Sequence, residues 1–429
     1  MVKERSVAAF RPLRYRTERV GELGAVWAPP YDVITTSDAA ALRARHSHNI
    51  VRLTNPEGDE ATRYREAART LQAWVADGVL ARDDEPTAIL HRHHFALAGQ
   101  AYERSGLWSL LRASPFDAGI VLPHERTMSR PKADRLALMQ ACQAQFSPIF
   151  VIASDPSGAF RQRLSELAKQ AADARTEFPA GEQHEIWHLA GSGFEGLAAA
   201  LEGQTFLIAD GHHRYETFLT FRDELVRDGA SATGKLTHEF SLAYIVSERD
   251  PGLLVLPTHR LIGGESRDWV GAVLRATERF DVVRLEDPDV ETVADILIEE
   301  AGRPTFVIVA HDMSGGWLLR LRKPNRLQTV AAVAFHDVFL PEVLKLEPDE
   351  QHLRMTYIKD ASEAVTSVRS GAKQAAALLA PPLVAQVREV ALAGQRLPAK
   401  TTYFWPKVPT GIALHVINPE EAVGTPASE

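Results

Sequence analysis

The sequence contains a single cysteine, Cys142, among its 429 residues. One cysteine excludes an intramolecular disulfide, a cysteine-rich zinc site and an iron–sulfur cluster, and it suits a reducing compartment. Cys142 ends a run with helical character, Leu136–Cys142. We therefore interpret it as a small buried hydrophobe rather than as a nucleophile.

Long hydrophobic runs and an excess of basic residues are also lacking. No stretch reaches the roughly 18 apolar residues that a membrane-spanning helix needs, and no apolar signal region follows the charged Met1–Arg5. The 48 Lys and Arg residues are outnumbered by 56 Asp and Glu residues, which gives a net charge of -8. Because nucleic-acid binders usually present a basic face, we expect a cytoplasmic protein with neither a membrane nor a nucleic acid as partner.

Short apolar runs alternate with helical patterns along most of the chain, which predicts an α/β (α+β) fold. The predicted strands include Ala25–Ala28, Ile50–Leu53, Pro148–Ile152, Thr205–Ala209 and Ser241–Val246. Apolar spacings of three and four predict a helix near 64–75. The flexible polar stretch Gly229–Gly234 suggests a boundary between regions 1–234 and 235–429.

The stretch Asp210-Gly211-His212-His213-Arg214 follows an apolar strand and opens an amphipathic helix. Such a strand-to-helix turn presents backbone N–H groups at a helix N-terminus, where partial positive charge collects. Gly211 lets a ligand approach the backbone, and the side chains of His212, His213 and Arg214 add donors for an oxyanion. We predict a phosphate-binding active site here.

A second polar cluster combines His124, Glu125 and Arg126 with Lys132 and Arg135. Lys132 and Arg135 share a helix face at i,i+3. The cluster is suited to a polyanion, with His124 or Glu125 as acid, base or metal ligand.

Weaker candidates stand at the ends of other apolar runs. They are the pair Tyr31 and Asp32 after a double proline, the pair His259 and Arg260, and the segment Lys400–Tyr403 with Lys407 beyond it. A turn-forming Asp explains the first pair equally well. We interpret the other two as secondary contributors to the site, and an exposed strand edge would also explain the last.

The run His91-Arg92-His93-His94 resembles a zinc motif at first sight. It lies in a segment of period two, and neighbouring strand residues point to opposite faces of a sheet. These histidines therefore cannot all converge on one metal, and we do not predict a zinc site from them. Walker A, GxGxxG, HExxH and GxSxG motifs are also absent from the sequence.

Several motifs together resemble a widespread bacterial family that has been labelled a domain of unknown function. They occur in the family's order and cover nearly the whole chain: Ala28–Ile34, Asn49–Leu53, Pro123–Thr127, Pro131–Arg135, Ala209–Tyr215, Leu256–Arg260 and Thr402–Lys407. The Asp-Gly-His-His-Arg element also looks like the signature of the ParB/sulfiredoxin superfamily. The resemblance implies a ParB/sulfiredoxin-like core with large insertions and a second, C-terminal α/β region.

The characterised proteins that this family resembles are free L-serine kinases, some using ADP and others, more similar to the full-length family, using pyrophosphate. The resemblance implies transfer of a phosphoryl group to free serine, with Mg²⁺ on the donor. His212, His213 and Arg214 would hold the donor. Basic residues of the second cluster, Arg126, Lys132 and Arg135, would neutralise its other end. Glu125 or Asp210 would accept the hydroxyl proton.

Other functions remain open at this stage. A sulfiredoxin-like reductase would need a cysteine in the Asp-Gly-His-His-Arg element, and none is there. A ParB-like nucleic-acid-binding protein would want a basic face. A phosphoserine phosphatase, with water as acceptor, and a non-catalytic sensor of amino acids or nucleotides fit the same residues.

Overall fold

The computed structural model describes residues 5–59, 62–125, 129–264, 268–286, 289–313 and 315–426. The chain forms two compact units. The first comprises Met1–Pro123, Thr127–Leu253 and Pro406–Glu429, and the second comprises His124–Arg126 and Leu254–Trp405. Within the described residues, no helix is long and apolar enough to cross a membrane.

The strands of the first unit range from two-residue bridges to the long pair at its centre. They are β1 Val7–Ala8, β2 Leu13–Tyr15, β3 Leu80–Arg82, β4 Ala88–Leu97, β5 Gln100–Arg112, β6 Val121–Leu122, β7 Ala144–Gln145, β8 Ile149–Ala153, β9 Ala174–Glu177, β10 Gln183–Leu189, β11 Phe206–Asp210 and β12 Phe240–Ser247, with a last strand at His415–Val416. The α-helices are α1 Thr17–Val20, α2 Leu23–Val26, α3 Thr36–Arg45, α4 Val51–Thr54, α5 Arg63–Ala76, α6 Ser129–Cys142, α7 Ala159–Leu167, α8 Ser192–Leu201 and α9 His212–Arg227.

A nine-stranded mixed sheet organises this unit, in the order β6-β11-β8-β12-β5-β4-β10-β9 with β1 beside β5. The central strands β8 and β12 are buried along their whole length. Strands buried on both faces read as continuous apolar runs, which is why the sequence pattern identified them. The sheet carries β11 and α9, and so positions the turn between them.

The second unit contains β13 Leu254–Leu256, β14 His259–Ile262, β15 Phe280–Leu285, β16 Thr305–Ala310, β17 Gly316–Leu321, β18 Met355–Ile358, β19 Ala375–Leu379 and β20 Tyr403–Trp405. Its α-helices are α10 Trp269–Ala276, α11 Val290–Glu299, α12 Ala331–Ala334, α13 Pro348–Arg354, α14 Ala361–Arg369 and α15 Val384–Leu392, and a π-helical turn spans Phe335–Val343. A six-stranded sheet runs β15-β17-β16-β19-β14-β18, and β13 pairs with β20. The mixed α/β class predicted from the sequence is confirmed.

Two predicted strands are helical instead. Within 25–28, the chain completes the short helix α2, and only Ala28 makes an isolated bridge, to Thr410. At Ile50–Leu53 it forms most of α4, because buried Asn49 accepts a hydrogen bond from the Val51 N–H at 3.1 Å and starts a turn. Four-residue apolar runs fit a strand or a helix equally well, so the periodicity could not separate the two.

The division between the units also differs from the predicted boundary at 234–235. It falls at Leu253 and Leu254, and the last segment, Pro406–Glu429, belongs to the first unit. The reason is β12, which pairs with β5 and β8 in the nine-stranded sheet. Pairing between strands that are distant in sequence cannot be inferred from the composition of the polar stretch before β12.

Candidate functional site

The turn between β11 and α9 has the geometry that the sequence predicts. The strand ends at Asp210, and Gly211 caps the helix with a φ of 92°, in the left-handed region. A Cβ at Gly211 would lie 3.0 Å from the guanidinium carbon of Arg214. Glycine is therefore required here both by the backbone and by the close approach of that side chain. Buried Tyr215 and Phe218 anchor the helix on the sheet.

Asp210 holds two cations at the turn. Its Oδ1 accepts a hydrogen bond from Lys407 Nζ at 2.7 Å, and its Oδ2 accepts one from Arg214 at 2.5 Å. Burial alone would raise the pKa of the Asp210 carboxyl, but Lys407 and Arg214 outweigh that effect and hold it well below its usual range. Arg214 also donates to the carbonyl of Pro148. Asp210 is thus an ionised carboxylate that fixes both cationic groups.

Arg135 adds a third cation on the same unit. Its guanidinium stacks 4.1 Å from the centre of the Tyr31 ring and donates to the Thr54 carbonyl at 2.7 Å. Asp134 Oδ2 accepts two more hydrogen bonds from this guanidinium, one from Nε at 2.7 Å and one from a terminal nitrogen. Tyr31, Arg135 and Arg214 line one cavity of about 50 Å³, together with Thr54, Leu138, Met139, Ala144, Gln145, Phe146, Ser147 and Thr217.

Charged residues around this cavity shift the pKa of the Tyr31 hydroxyl. Burial and the nearby Asp32 raise its pKa, and Arg214 and Arg135 oppose the rise. The carboxylate of Asp32 belongs to an exposed residue. Tyr31 and Asp32, for which the sequence allowed either a turn or a site, therefore lie in the electrostatic field of Arg214.

Lys132, His212 and His213 occupy other positions on α6 and α9. Lys132 Nζ pairs with Glu216 at 2.7 Å, which joins the two helices. His212 is buried and His213 is half-buried at the start of α9. The partial positive charge of a helix N-terminus therefore lies beside these cations.

His124 and Glu125 belong to the second unit. The Leu397 N–H donates to the His124 carbonyl at 2.8 Å, and the His124 ring contacts Thr402 Oγ1 at 2.8 Å. Glu125 Oε1 accepts a hydrogen bond from the Lys400 N–H at 3.2 Å. Arg126, the third predicted residue of this loop, lies outside the described part of the chain.

His259 and Arg260 are buried in β14 of the second unit. His259 Nδ1 accepts the Leu379 N–H at 3.1 Å, and burial lowers its pKa to about 4. Burial likewise lowers the pKa of Arg260 to about 10, while Arg260 stacks 4.8 Å from the Tyr357 ring. These contacts tie both residues into the second unit's sheet, which is a structural role that the sequence did not indicate.

The first unit thus brings together Asp210, Gly211, Arg214, Arg135, Tyr31 and Asp32 from segments distant in sequence. Lys407 was predicted only as a secondary contributor, and Asp134 was not singled out. The signal for Lys407 was its place after Trp405-Pro406 in the last of the ordered motifs. Cys142 is half-buried rather than fully buried as the sequence predicts, and burial raises the pKa of its thiol to about 12.

Comparison with known proteins gives a family and several distant structures. Residues 7–360 match the family described as protein of unknown function (DUF1015). No curated protein matches the sequence. A conserved hypothetical protein from Pyrococcus furiosus is 15% identical with a TM-score of 0.35, over 72% of this chain and 95% of that one. A free serine kinase in complex with AMP is 15% identical with a TM-score of 0.37, over 73% and 93%. SbnI with a C-terminal truncation, from Staphylococcus aureus, is 9% identical with a TM-score of 0.35, over 72% and 87%.

Proposed function

This chain belongs to the family described as protein of unknown function (DUF1015), as its ordered motifs indicated, and we propose that it is a small-molecule phosphotransferase. The single observation that carries this proposal is the cationic turn at the start of α9. There Asp210 holds Arg214 and Lys407 side by side at a helix N-terminus. Phosphoryl transfer depends mainly on positioning the donor and neutralising its charge.

The electrostatics of the turn favour an anion as ligand. Among the described residues, four cationic side chains, Arg63, Arg135, Arg214 and Lys407, face three carboxylates, Asp32, Asp134 and Asp210. The helix N-terminus adds a partial positive charge equivalent to about +0.5. A cluster with this surplus attracts phosphate oxygens, which accept charge-assisted hydrogen bonds from guanidinium, ammonium and backbone N–H groups.

The acceptor proposed here is the hydroxyl of free L-serine, and the donor is pyrophosphate or ADP. Both follow from the resemblance of the ordered motifs to free serine kinases. In the reaction, the serine oxygen forms a bond to phosphorus while the bridging P–O bond of the donor breaks. The hydroxyl proton passes to a base, and orthophosphate (or AMP, when ADP is the donor) leaves.

Asp210 is better suited to positioning than to accepting that proton. Its pKa lies well below the usual range because two cations bind its oxygens, so it is a weak base at neutral pH. Half-buried His213, at the start of α9 on the same unit, is the candidate base that we add. Glu125, the other base that the resemblance implies, stays a prediction. The proposed role of Asp210 is to hold Arg214 and Lys407 against the donor.

Mg²⁺ fits this site through one carboxylate at most. The ion usually takes one or two carboxylates and completes its shell with water and substrate phosphates. Both oxygens of Asp210 are engaged by cations, whereas Asp32 presents a carboxylate at the surface beside Tyr31. Asp32 would hold the ion, which when bound neutralises charge on the donor phosphates.

The test is phosphorus NMR of the purified protein with L-serine, Mg²⁺ and either pyrophosphate or ADP. We expect a growing phosphoserine signal with one of the donors. Lys407→Met should reduce the rate by about 10²–10³-fold, the cost typical of removing one charged or hydrogen-bonding group that stabilises a transition state. Lys169→Met is the matched control, since Lys169 is an exposed lysine of the same unit, and it should retain the full rate.

The outcomes separate the competing functions. Hydrolysis of added phosphoserine, without transfer from either donor, would replace the kinase with a phosphatase. Binding of serine or nucleotide without turnover would indicate a sensor. Full activity of the Lys407→Met protein would remove the α9 turn from the active site.

A further inference from the structure

A second polar cluster lies at the far end of the nine-stranded sheet. His93 on β4 stands directly opposite His184 on β10 in the antiparallel register. Glu182 precedes His184 by two residues and shares its side of the hairpin. We call His93, Glu182 and His184 the histidine–glutamate cluster.

The members of this cluster converge on one point. His93 Nε2 lies 2.5 Å from Glu182 Oε2, and the rings of His93 and His184 stack with centroids 4.0 Å apart. One nitrogen or oxygen from each of the three side chains falls within 4.8 Å of the others. Residues directly opposite on antiparallel strands have Cβ atoms about 4.5–5.5 Å apart, so the pairing itself brings the two imidazoles together.

The cluster is buried and its hydrogen bonding is incomplete. His93 is 1% exposed and His184 is 0% exposed. Among the described residues, His93 Nδ1 has no hydrogen-bond partner. Nearly all buried polar atoms in proteins are paired, and an unpaired one is often completed by a water or an ion.

Both imidazoles are buried, and burial disfavours the protonated ring. A neutral imidazole offers a lone pair, whereas a protonated one does not. The carboxylate of Glu182 supplies the negative charge that a divalent cation needs.

His91 completes the surroundings of the cluster. Its Nε2 lies 2.8 Å from His184 Nδ1, and its Nδ1 lies 3.4 Å from Trp108 Nε1. A His184 ring bound to a metal through its other nitrogen would donate its remaining N–H to His91 Nε2, and His91 would then carry its own proton on Nδ1 and give up the Trp108 contact. Ligating histidines are oriented in this way in most metal sites. In the present arrangement that other nitrogen contacts the Phe178 carbonyl, a contact that the metal would replace.

From this geometry we propose that the histidine–glutamate cluster binds a divalent transition-metal ion, with Zn²⁺ as the preferred metal. Two imidazoles and one carboxylate form a donor set that Zn²⁺ commonly uses, with a water as fourth ligand. Mg²⁺ and Ca²⁺ favour oxygen ligands and would be poorly held. The bound ion would link β4 to the hairpin that β9 and β10 form.

This site is distinct from the α9 turn. Strands β8, β12 and β5 lie between β11 and β4 in the sheet. With about 4.8 Å between neighbouring strands, β11 and β4 are separated by roughly 19 Å. Metal binding at the cluster therefore does not depend on the proposed phosphotransferase activity.

Side chains of the His91–His94 run alternate between the two faces of the sheet, as the sequence predicts. The sequence could not show which residues of the neighbouring strand lie opposite them. His94 lies on the opposite face from His93 and contacts Glu185 at 3.2 Å. This makes His94→Gln a matched control for His93→Gln, since the two positions are neighbours on one strand and differ in the face they occupy.

The experiment is equilibrium dialysis of the untagged, full-length protein against Zn²⁺, followed by elemental analysis. We expect one equivalent of Zn²⁺ per chain in the wild type and in the His94→Gln and Asp210→Asn variants. His93→Gln and His184→Gln should bind at least tenfold more weakly. Co²⁺ in place of Zn²⁺ should give the visible absorption of a four-coordinate ion, and Glu182→Gln should alter that spectrum.

Two results would overturn the proposal. One is the absence of stoichiometric Zn²⁺ in the wild type. The other is equal binding by wild type and His93→Gln, each with native circular dichroism. Should the histidine variants not fold, Glu182→Gln decides the question, because Glu182 is half-buried and its replacement keeps the shape of the side chain: an unchanged Co²⁺ spectrum would then overturn the site.

Discussion

Replacing Gly211 with alanine tests the geometry of the α9 turn most directly. Gly211 has a φ of 92°, and an added Cβ would meet the Nε and Cζ atoms of Arg214 at 3.0 Å. The left-handed backbone costs an alanine about 1–2 kcal/mol. The contact adds a second penalty on the order of 1 kcal/mol, because the guanidinium is held by Asp210 and Pro148 and yields little.

Gly229 provides a matched control at the other end of the same helix. Its φ is 106°, and a Cβ added there would have no neighbouring atom within 4 Å. Gly229→Ala should therefore show the backbone penalty alone, and Gly211→Ala should be less stable than it by roughly 1 kcal/mol. Urea unfolding of both variants, followed by the same spectroscopic signal, measures the difference.

Anion binding separates the two variants further. Displacing the Arg214 guanidinium removes a charge-assisted hydrogen bond worth about 1.5–3 kcal/mol, which corresponds to roughly 10–150-fold in affinity. We expect Gly211→Ala to lose pyrophosphate affinity by this factor in calorimetric titration and Gly229→Ala to keep it. Equal stability and equal affinity for the two variants would refute the argument that Gly211 is required by the approach of Arg214.

Three further predictions concern buried ionisable side chains. The pKa of Asp210 is held below its ordinary 3.8, so its ionised carboxylate stabilises the fold above pH 3.8, and this stabilisation is lost as the pH falls through the folded-state pKa. The difference in free energy of unfolding between wild type and Asp210→Asn should therefore narrow in acid unfolding curves below pH 3.8. Burial lowers the pKa of His259 from 6.5 to about 4, so only the unfolded chain takes up its proton in that window. His259→Gln should therefore abolish a loss of stability on the order of 3 kcal/mol as the pH falls from 6.5 to 4, and an unchanged pH profile would contradict the assignment. Arg260→Lys should destabilise the protein by about 2 kcal/mol in urea, because lysine cannot keep the Tyr357 stack together with the hydrogen bonds to His336 and Ala399; the exposed Arg275→Lys should be neutral.

Local sequence patterns predict one part of the candidate site and not the rest. The strand-to-helix turn at Asp210–Arg214 was predictable, since a buried strand, a glycine and an amphipathic helix follow one another without a gap. Tyr31 and Asp32 were predictable only as a polar pair after two prolines. That they share a field with Arg214 depends on packing between segments more than a hundred residues apart.

The shortest helices could not be predicted from the spacing of apolar residues. Ala25–Ala28 and Ile50–Leu53 read as strands, yet most of their residues lie in single helical turns. In the second case the side chain of Asn49 sets the conformation, through hydrogen bonds to the Ala25 and Trp27 carbonyls at 2.9 Å. A buried amide that bonds to distant backbone groups overrides a four-residue apolar pattern.

Local sequence patterns were enough to predict the mixed α/β class, the buried strands β8, β11 and β12, and the turn that opens α9, because each of these is encoded by residues adjacent in the chain. Three features became visible only in the folded chain: Lys407 binds Asp210, His184 lies opposite His93, and residues 406–429 belong to the first unit. These outcomes depend on strand register and long-range packing, which bring together side chains whose separation in sequence carries no periodic signal.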